Sequence, residues 1–241
     1  MRRRDRDETG RFLVEGPQAV REALAAGAVR ELFATGAARQ RYPELTGAAS
    51  LVTDDAIAAL AETVAPQGLV AVCSAVEVPL AAALAGRPPL VAVLAGIRDP
   101  GNAGTVLRTA DAAGAGAVVF AGEAVDPYNG KCVRASAGSL FHLDLVRAAD
   151  PAPVIDALRD AGLRVLAADP YGAADLDALV DSGELGRPTA WLFGSEAHGL
   201  PDELAGTADA RVRVPIYGGA ESLNLAAAAA VCLYASARAL R

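Results

Sequence analysis

The strongest constraint on the fold is a repeated order of strand, loop and helix that begins at Leu90. Short apolar runs alternate with helical stretches from there to the end of the chain. This alternation predicts a parallel sheet with helices on both faces, because parallel strands need crossover connections. The predicted strands are LVAVLAG, AVVFAG, FHLDLV, LRVLAAD, TAWLFG and VRVPI, and the predicted helices cover residues 102–113, 129–138, 151–161, 199–205 and 222–240.

The chain before this repeat predicts a separate small α/β unit. FLVEGPQAVREALAAG has the pattern of a short strand followed by a helix, and VRELFAT that of a strand. Asp54 is a candidate cap for a helix in DAIAALAETV, and PQGLVAV leads into a closing strand over residues 69–76. We therefore expect a first domain over 1–78, a linker over 79–89 that ends in two prolines, and a second domain over 90–241.

Composition excludes several classes of protein. Hydrophobic residues make up 53% of the chain, enough for packed cores. No apolar run reaches the roughly 18 residues that span a bilayer, and the charged start MRRRDRDETGR does not resemble a signal peptide, so we expect a cytoplasmic protein. The separated Cys73, Cys132 and Cys232 fit neither a disulfide framework nor a zinc site. We expect free thiols and no metal.

The charge pattern allows a nucleic-acid partner. A net charge of −7 weighs mildly against one, but binding depends on where the charges lie. Basic residues cluster in the first eleven positions and again at Lys131, Arg134 and Arg147. Arg11, Lys131 and Arg134 are therefore candidate RNA contacts.

Three loops at predicted strand ends carry polar residues that a minimal fold does not need. The first, IRDPGN, precedes the helix in which we place Asn102 as a possible N-cap. Arg108 on that helix could pair with Asp111, three residues on, for a few tenths of a kcal/mol. Alternatively it lies at the margin of the buried face, near the carboxyl edge of the sheet, and binds phosphate.

The second and third loops are FGSEAHGLPDEL and VPIYGGAESLN. Gly194 permits a tight turn, Glu196 lies on that turn, and His198 is expected to be a hydrogen-bonding loop residue. Ser222 is a natural N-cap for the last helix. That helix carries small residues that would let another backbone approach closely, either at an interface or in a tight internal crossing, namely Ala226, Ala227, Ala230 and Ala237.

Taken together, the three loops resemble the signature motifs of the SpoU family, also called TrmH-like, within the SPOUT methyltransferases. The matching stretches are N-x-G-x-x-x-R-T-A from Asn102, FGSEAHGL and VPIYGGAESLN, in that order. DPYNGKCVRASAGSLFHL resembles the family's stretch between the first two motifs. The first domain resembles the L30e-like substrate-binding module through FLVEGPQAVREAL and PQGLVAV.

The resemblance implies a fold and a cofactor. It implies a deep trefoil knot near the C-terminus, which composition and periodicity do not predict. It also implies S-adenosylmethionine bound in the knot, largely by backbone groups. A homodimer is implied as well, with Arg108 completing a site at the subunit interface. The positions that match the family's cofactor site are Phe193, Gly194, Val214, Ile216, Leu223 and Asn224.

The activity implied is methylation of a ribose 2′-hydroxyl in structured RNA. A guanidinium stays protonated, so Arg108 would clamp the adjacent phosphate and stabilise the developing alkoxide. That phosphate or Glu196 would receive the proton. Asn102 would hold the target nucleotide or Arg108, while Ser222 and Asn224 would orient the motif loops.

Other functions compete with this interpretation. The added L30e-like domain favours 23S ribosomal RNA over transfer RNA. A catalytically silent RNA-binding protein is disfavoured because Asn102, Arg108, Glu196 and Asn224 are all present. A dinucleotide-dependent oxidoreductase is disfavoured because the GAG in TADAAGAGAVVF leads from a helix into a strand, the reverse of a dinucleotide fingerprint.

Overall fold

Two β-sheets organise the chain, and the computed structural model describes all residues 1–241. The first unit contains β1 (Arg11–Glu15), β2 (Val29–Ala34), β3 (Ser50–Leu51) and β4 (Leu69–Ser74). Its helices are α1 (Arg3–Thr9), α2 (Pro17–Ala25), α3 (Gly36–Arg41) and α4 (Asp54–Leu60). The strand order is β1-β4-β2-β3, with β4 antiparallel to both of its neighbours.

The second sheet has seven strands, all paired in parallel. They are β5 (Leu90–Ala95), β6 (Ala117–Ala121), β7 (Asp144–Ala148), β8 (Arg164–Ala168), β9 (Ala174–Asp175), β10 (Thr189–Phe193) and β11 (Ala210–Arg213). Their order across the sheet is β7-β6-β5-β10-β8-β11-β9. The predicted parallel sheet and its six predicted strands are confirmed, and β9 is an additional two-residue strand. The trefoil knot stays a prediction.

Helices cover both faces of this sheet, as predicted. They are α5 (Leu80–Ala85), α6 (Pro100–Ala112), α7 (Gly130–Ser136), α8 (Pro151–Asp160), α9 (Leu176–Asp181), α10 (Asp202–Gly206) and α11 (Leu225–Ala239). Alternate residues of β5 point to opposite faces: Ala92 and Leu94 join a core with α6 and α11, whereas Val91 and Val93 join one with α8.

Two predicted helix starts are wrong, one in each unit. Helix α6 begins at Pro100 rather than at Asn102, and its cap is Asp99, whose Oδ1 accepts the backbone N–H of Asn102 at 2.8 Å. Proline suits the first helical position because its missing N–H would have no partner there. In the first unit, Thr53 caps α4, so Asp54 is the first helical residue instead of the cap.

The last helix and the predicted linker also differ from expectation. Helix α11 begins at Leu225 and is capped by Asn224, so Ser222 is not the N-cap. The predicted linker over 79–89 contains α5, whose Ala83 and Leu84 are buried in the core of the second sheet. The connection between the two units is therefore packed rather than free.

Glycine at position 104 allows two helices of the second unit to cross closely. A Cβ atom added to Gly104 would overlap the carbonyl of Cys132 and the side chain of Ala135, both on α7. The glycine of the first motif is therefore explained by helix packing, independently of any ligand.

The cysteines are buried and free, as predicted. Burial raises the pKa of the Cys73 and Cys232 thiols to about 12, because a thiolate is poorly solvated in the core. None of the helices has the length and apolar character needed to cross a membrane.

An aromatic and ionic interface joins the two units. Phe12 of β1 packs against Tyr128 at 4.5 Å and Phe141 at 6.1 Å between ring centroids. Below this contact, the guanidinium of Arg6 donates to the carboxylate of Asp126 at 2.7 Å, and both side chains are buried. The first unit is therefore docked through its N-terminal helix and first strand.

His142 links the same two units through a pair of carboxylates. Its ring nitrogens lie 2.8 Å from Asp111 on α6 and 3.1 Å from Glu22 on α2. The hydrogen bond with Asp111, followed by that with Glu22, raises the pKa of His142 above its ordinary value of 6.5.

We expect this bridge to make stability depend on pH. Because the folded pKa is raised, the contribution is full below about pH 6.5 and is lost as the pH rises through the folded value. We expect the free energy of unfolding in urea to fall between about pH 6 and about pH 9 for the wild-type protein. It should fall less for His142→Gln. Parallel curves for the two proteins would contradict this.

Candidate active site

The three motif loops meet at the carboxyl edge of the second sheet. Residues 96–102 follow β5, residues 194–199 follow β10, and residues 214–224 follow β11. In parallel sheets this edge is where ligands bind. The sheet order places β10 next to β5, so the first and second loops are neighbours.

A chain of hydrogen bonds joins one residue from each loop. Asn224 Nδ2 donates to Asn102 Oδ1 at 3.3 Å, and Asn102 Nδ2 donates to Glu196 Oε1 at 2.9 Å. Asn102 and Glu196 are 94 positions apart in sequence, and Asn102 and Asn224 are 122 apart. Asn102 was predicted to hold either the target nucleotide or Arg108. Its side chain instead contacts the other two loops, and it makes no hydrogen bond with Arg108.

The way in which Asn224 caps α11 determines which atoms donate and which accept in these hydrogen bonds. Asn224 Oδ1 caps the helix by accepting from the backbone N–H groups of Ala226 and Ala227. Its amide nitrogen must therefore donate, so Asn102 accepts with its oxygen and donates with its own nitrogen. Glu196 is therefore the final acceptor of this series of hydrogen bonds. Its carboxylate is exposed, and its orientation is fixed through Asn102 by the residue that caps α11.

We expect Asn224→Asp to separate the two roles of this residue. Aspartate is an equally good cap, so the stability of α11 should be kept. Aspartate cannot donate to Asn102, so the chain to Glu196 breaks and turnover should fall about ten-fold. Thermal unfolding and methyl transfer, measured on this variant and on Asn224→Ala, check the expectation. Full activity in Asn224→Asp would show that capping is its sole role.

The second and third loops offer the backbone groups that a cofactor would need. The backbone N–H and C=O groups of residues 214–223 form no hydrogen bond with other backbone groups. Gly194 is buried, and an added Cβ would overlap the backbone of Gly199 and Leu200. Nearby, Ile216 and Leu223 expose 38% and 39% of their surface, although both are apolar. These features fit a ligand held by backbone groups and apolar contacts.

The remaining predicted cofactor positions differ in how accessible they are. Phe193 is fully buried in the core and stacks with Trp191, so it supports the loop from below. Val214 is partly buried at the end of β11. Ser222 is exposed and makes no hydrogen bond, so no orienting contact of Ser222 is formed in this structure.

Sequence reasoning missed the loop after β8. Strand β8 lies between β10 and β11, so residues 169–172 emerge between the second and third motif loops. Gly172 packs against the backbone of Arg211 and Val212, and Tyr171 beside it is 90% exposed. The turn sequence DPYG was visible, but only the strand order places it in this site.

Arg108 is exposed on α6 and forms no ion pair or side-chain hydrogen bond. The alternative pair with Asp111 is absent because Asp111 bonds His142. Arg108 follows Asn102 by six positions, about 9 Å along the helix axis. Within one chain, Arg108 therefore lies outside the cluster formed by Asn102, Glu196 and Asn224.

The other predicted RNA contacts already hold carboxylates. Lys131 Nζ lies 2.8 Å from Asp99, and this bond, followed by the backbone N–H of Asn102, lowers the pKa of Asp99. Arg134 lies 3.3 Å from Glu15 and 3.5 Å from Glu62, which joins α7 to the first unit. The charges of Arg11 and Glu31 are 3.8 Å apart on the surface. No cluster of three or more side chains could hold a metal ion.

Comparisons with known proteins agree with this arrangement. Residues 89–234 match the model of the SpoU rRNA Methylase family, and residues 1–71 match the MRM3-like substrate binding domain. The chain is 36% identical over 234 residues to the 23S rRNA (guanosine(2553)-2′-O)-methyltransferase RlmP of Bacillus subtilis, covering 96% of this chain and 90% of RlmP.

Solved structures give the same result. An AdoMet-bound rRNA methyltransferase from Sinorhizobium meliloti superposes with a TM-score of 0.83 at 34% identity, covering 98% of this chain and 90% of the other. AviRb of Streptomyces viridochromogenes, in complex with AdoMet, gives 0.82 at 31% identity, covering 99% and 93%. The chain belongs to the SpoU rRNA Methylase family.

Proposed function

We propose that this protein transfers a methyl group from S-adenosylmethionine to a ribose 2′-hydroxyl of 23S ribosomal RNA, in the cytoplasm. The observation that carries the proposal is the hydrogen-bonded chain of Asn224, Asn102 and Glu196, which unites the three motif loops. Its support comes from the family match and from relatives named as 23S rRNA 2′-O-methyltransferases.

When bound, S-adenosylmethionine supplies an electrophilic methyl group. The protein must then place a hydroxyl oxygen in line with that methyl, which is mainly a positioning problem. The unpaired backbone groups of residues 214–223 provide the cofactor's cradle, and the close packing of Gly194 against Gly199 fixes the second loop. Helices α6 and α11 both begin at this edge, and their positive ends favour the phosphates that flank the target ribose.

Glu196 is the proton acceptor in this proposal. Its carboxylate is exposed, so a ribose hydroxyl can reach it. Asn102 donates to one of its oxygens at 2.9 Å, which orients the carboxylate and leaves the second oxygen free. A phosphate acceptor in the RNA remains the competing route. Under that route Glu196→Gln would retain turnover, whereas under ours it would lose most of it.

A homodimer brings Arg108 into an active site. Arg108 lies about 9 Å along α6 from Asn102, and in this proposal a second chain presents it to the Asn102 cluster. The exposed residues of α11 form a stripe beside α6: Ala227, Val231, Tyr234 and Arg238. Val231 and Tyr234 leave 42% and 53% of their surface exposed. Two of the small residues, Ala226 and Ala237, are buried in the chain's own core, which agrees with the internal crossing that was the alternative to an interface.

We expect Val231→Arg to convert the dimer into a monomer. A charge at the centre of an apolar contact is poorly solvated, so association should weaken strongly. Light scattering at micromolar concentration should give twice the 24.4 kDa chain mass for wild type and a single mass for the variant. Leu24→Arg, on α2 of the first unit, is the matched control. A monomeric wild type would remove the dimer from the mechanism.

The RNA surface is defined by arginines without carboxylate partners. In the first unit these include Arg39 and Arg41 on α3, and Arg41 lies 5.4 Å from the ring of Tyr42. In the second unit Arg108 is such a residue. Free guanidinium groups can bind phosphate without first breaking an ion pair, so we assign them more weight than Lys131 or Arg134.

Mapping of 2′-O-methyl groups tests the proposal. RNA from cells with and without the gene is compared, and purified protein is then added to the unmodified RNA with S-adenosylmethionine. A gene-dependent site in 23S RNA that the protein restores is the expected result. A gene-dependent 2′-O-methylation site in transfer RNA instead would show that transfer RNA, and not 23S RNA, is the substrate. Absence of any gene-dependent site, with no heat on titration with S-adenosylmethionine, would overturn the proposal.

A further inference from the structure

A cavity of about 460 Å³ lies beside the first and second motif loops, and its lining does not include Asn102, Glu196 or Asn224. It opens at the carboxyl ends of β5 and β6 and is closed on one side by the hairpin after β10. Its size is in the range of small-molecule sites. Its lining includes Gly96, Arg98, Gly122, Glu123, Ser195 and His198.

Resting on the proposed function, we infer that this cavity binds the base of the target nucleotide and selects guanine. Sequence-specific RNA recognition usually takes bases that are splayed out of a helix and bound on their edges. The hairpin wall supplies Ser195 and His198 to the cavity and also carries Glu196, two positions from His198. A base in the cavity would thus have its ribose at the mouth, beside Glu196.

Two opposite charges in the cavity have no partner. Arg98 and Glu123 are both exposed, and neither forms an ion pair or a side-chain hydrogen bond. They follow neighbouring strands, β5 and β6, and yet do not pair with each other. An unpaired cation and an unpaired anion facing one cavity fit a ligand that presents acceptors on one edge and donors on another.

Guanine presents that combination. Its O6 and N7 accept from arginine, the commonest specific contact to this base. Its N1–H and N2–H groups are adjacent donors, which a single carboxylate can accept in a bidentate manner. Adenine would direct its N1 acceptor at Glu123, and uracil would flank a single N–H with two carbonyl oxygens. In both cases an acceptor atom of the base would face the acceptor oxygens of Glu123, which is unfavourable.

The floor of the cavity suits a planar ring. Ala95 and Gly96 at the end of β5, and Ala121 and Gly122 at the end of β6, contribute small or absent side chains. A flat ring can lie on such a surface while its edges reach Arg98 and Glu123. The imidazole of His198 also lines the cavity, where it can stack on the ring.

The test uses the mapped RNA segment with guanosine, inosine or adenosine at the methylated position. Inosine lacks the N2 amino group, so wild-type kcat/KM should fall about 10- to 100-fold relative to guanosine. Glu123→Gln should react more slowly with guanosine and discriminate inosine by less than about three-fold. Glu203→Gln, an exposed change on α10 outside the cavity, should keep the wild-type preference.

Calorimetry with S-adenosylmethionine checks that each variant is folded, and Glu123→Ala provides a second test of the carboxylate. A methylated nucleotide other than guanosine, or an unchanged guanosine-to-inosine ratio in both Glu123 variants, would overturn this inference while leaving 2′-O-methylation intact. Absence of methylation by wild-type protein would overturn the proposed function as well.

Discussion

Arg108→Ala should reduce methyl transfer by about 10²–10³-fold and leave binding of S-adenosylmethionine unchanged. The guanidinium is exposed and unpaired, so its removal breaks no contact within the chain. The expected cofactor groups lie in the loops after β10 and β11, on other elements. Arg108→Lys should recover activity only in part, because a point charge cannot reproduce the planar donor fork.

Arg187→Ala is the matched control for this result. Arg187 is also exposed and unpaired, but it precedes β10 and so lies at the opposite edge of the sheet. Single-turnover rates at saturating cofactor, with calorimetry for binding, measure the two effects separately. Turnover close to wild type in Arg108→Ala would remove Arg108 from the mechanism. A mixed dimer, one chain with Arg108→Ala and one with Glu196→Gln, should keep one working site.

Asp126→Asn should destabilise the protein by about 3–5 kcal/mol. The Arg6 guanidinium is 8% exposed and Asp126 is 4% exposed, so loss of the carboxylate leaves a positive charge buried. Asparagine keeps the size of the side chain and can still accept the backbone N–H of Tyr128, which Asp126 Oδ1 accepts at 2.9 Å. The effect therefore reports the ion pair rather than a cavity or a broken turn.

A surface pair provides the control for Asp126→Asn. Asp7 lies 3.3 Å from Arg147, and both are substantially exposed, so Asp7→Asn should cost less than about 1 kcal/mol. Thermal unfolding and limited proteolysis should show the first unit released early in Asp126→Asn. Removing both charges, as Arg6→Met with Asp126→Asn, keeps the acceptor for Tyr128 and should restore most of the stability. Equal effects of Asp126→Asn and Asp7→Asn would contradict this account.

The sequence predicts the parallel sheet well because its central strands are short apolar runs that alternate with helical stretches. It does not predict the order of strands, because the sequences of the connections before and after β8 contain no signal that β10 lies beside it. The loop at residues 169–172 was missed for that reason. The motif loops were found because their residue types are unusual for a minimal fold and match a family pattern.

Local contacts were harder to predict than elements. Asp99 and Asn102, and likewise Ser222 and Asn224, are alternative caps within a few residues, and the fold chooses between them. Proline at position 100 was the sequence signal that favours Asp99. Arg108 and Asp111 do not form the predicted ion pair. The carboxylate of Asp111 is instead hydrogen-bonded to His142, 31 positions away in the sequence. Contacts of that span depend on tertiary structure.

The position of β10 has a consequence for how the chain is made. This strand lies between β5 and β8, although β5 is synthesised about a hundred residues earlier. Until residues 189–193 leave the ribosome, β5 and β8 each present an open edge that can pair with another chain. Its Trp191, fully buried, donates to Ser236 near the C-terminus, so the centre of the sheet closes last. Folding should therefore be slow and largely post-translational, and chains truncated before β10 should aggregate.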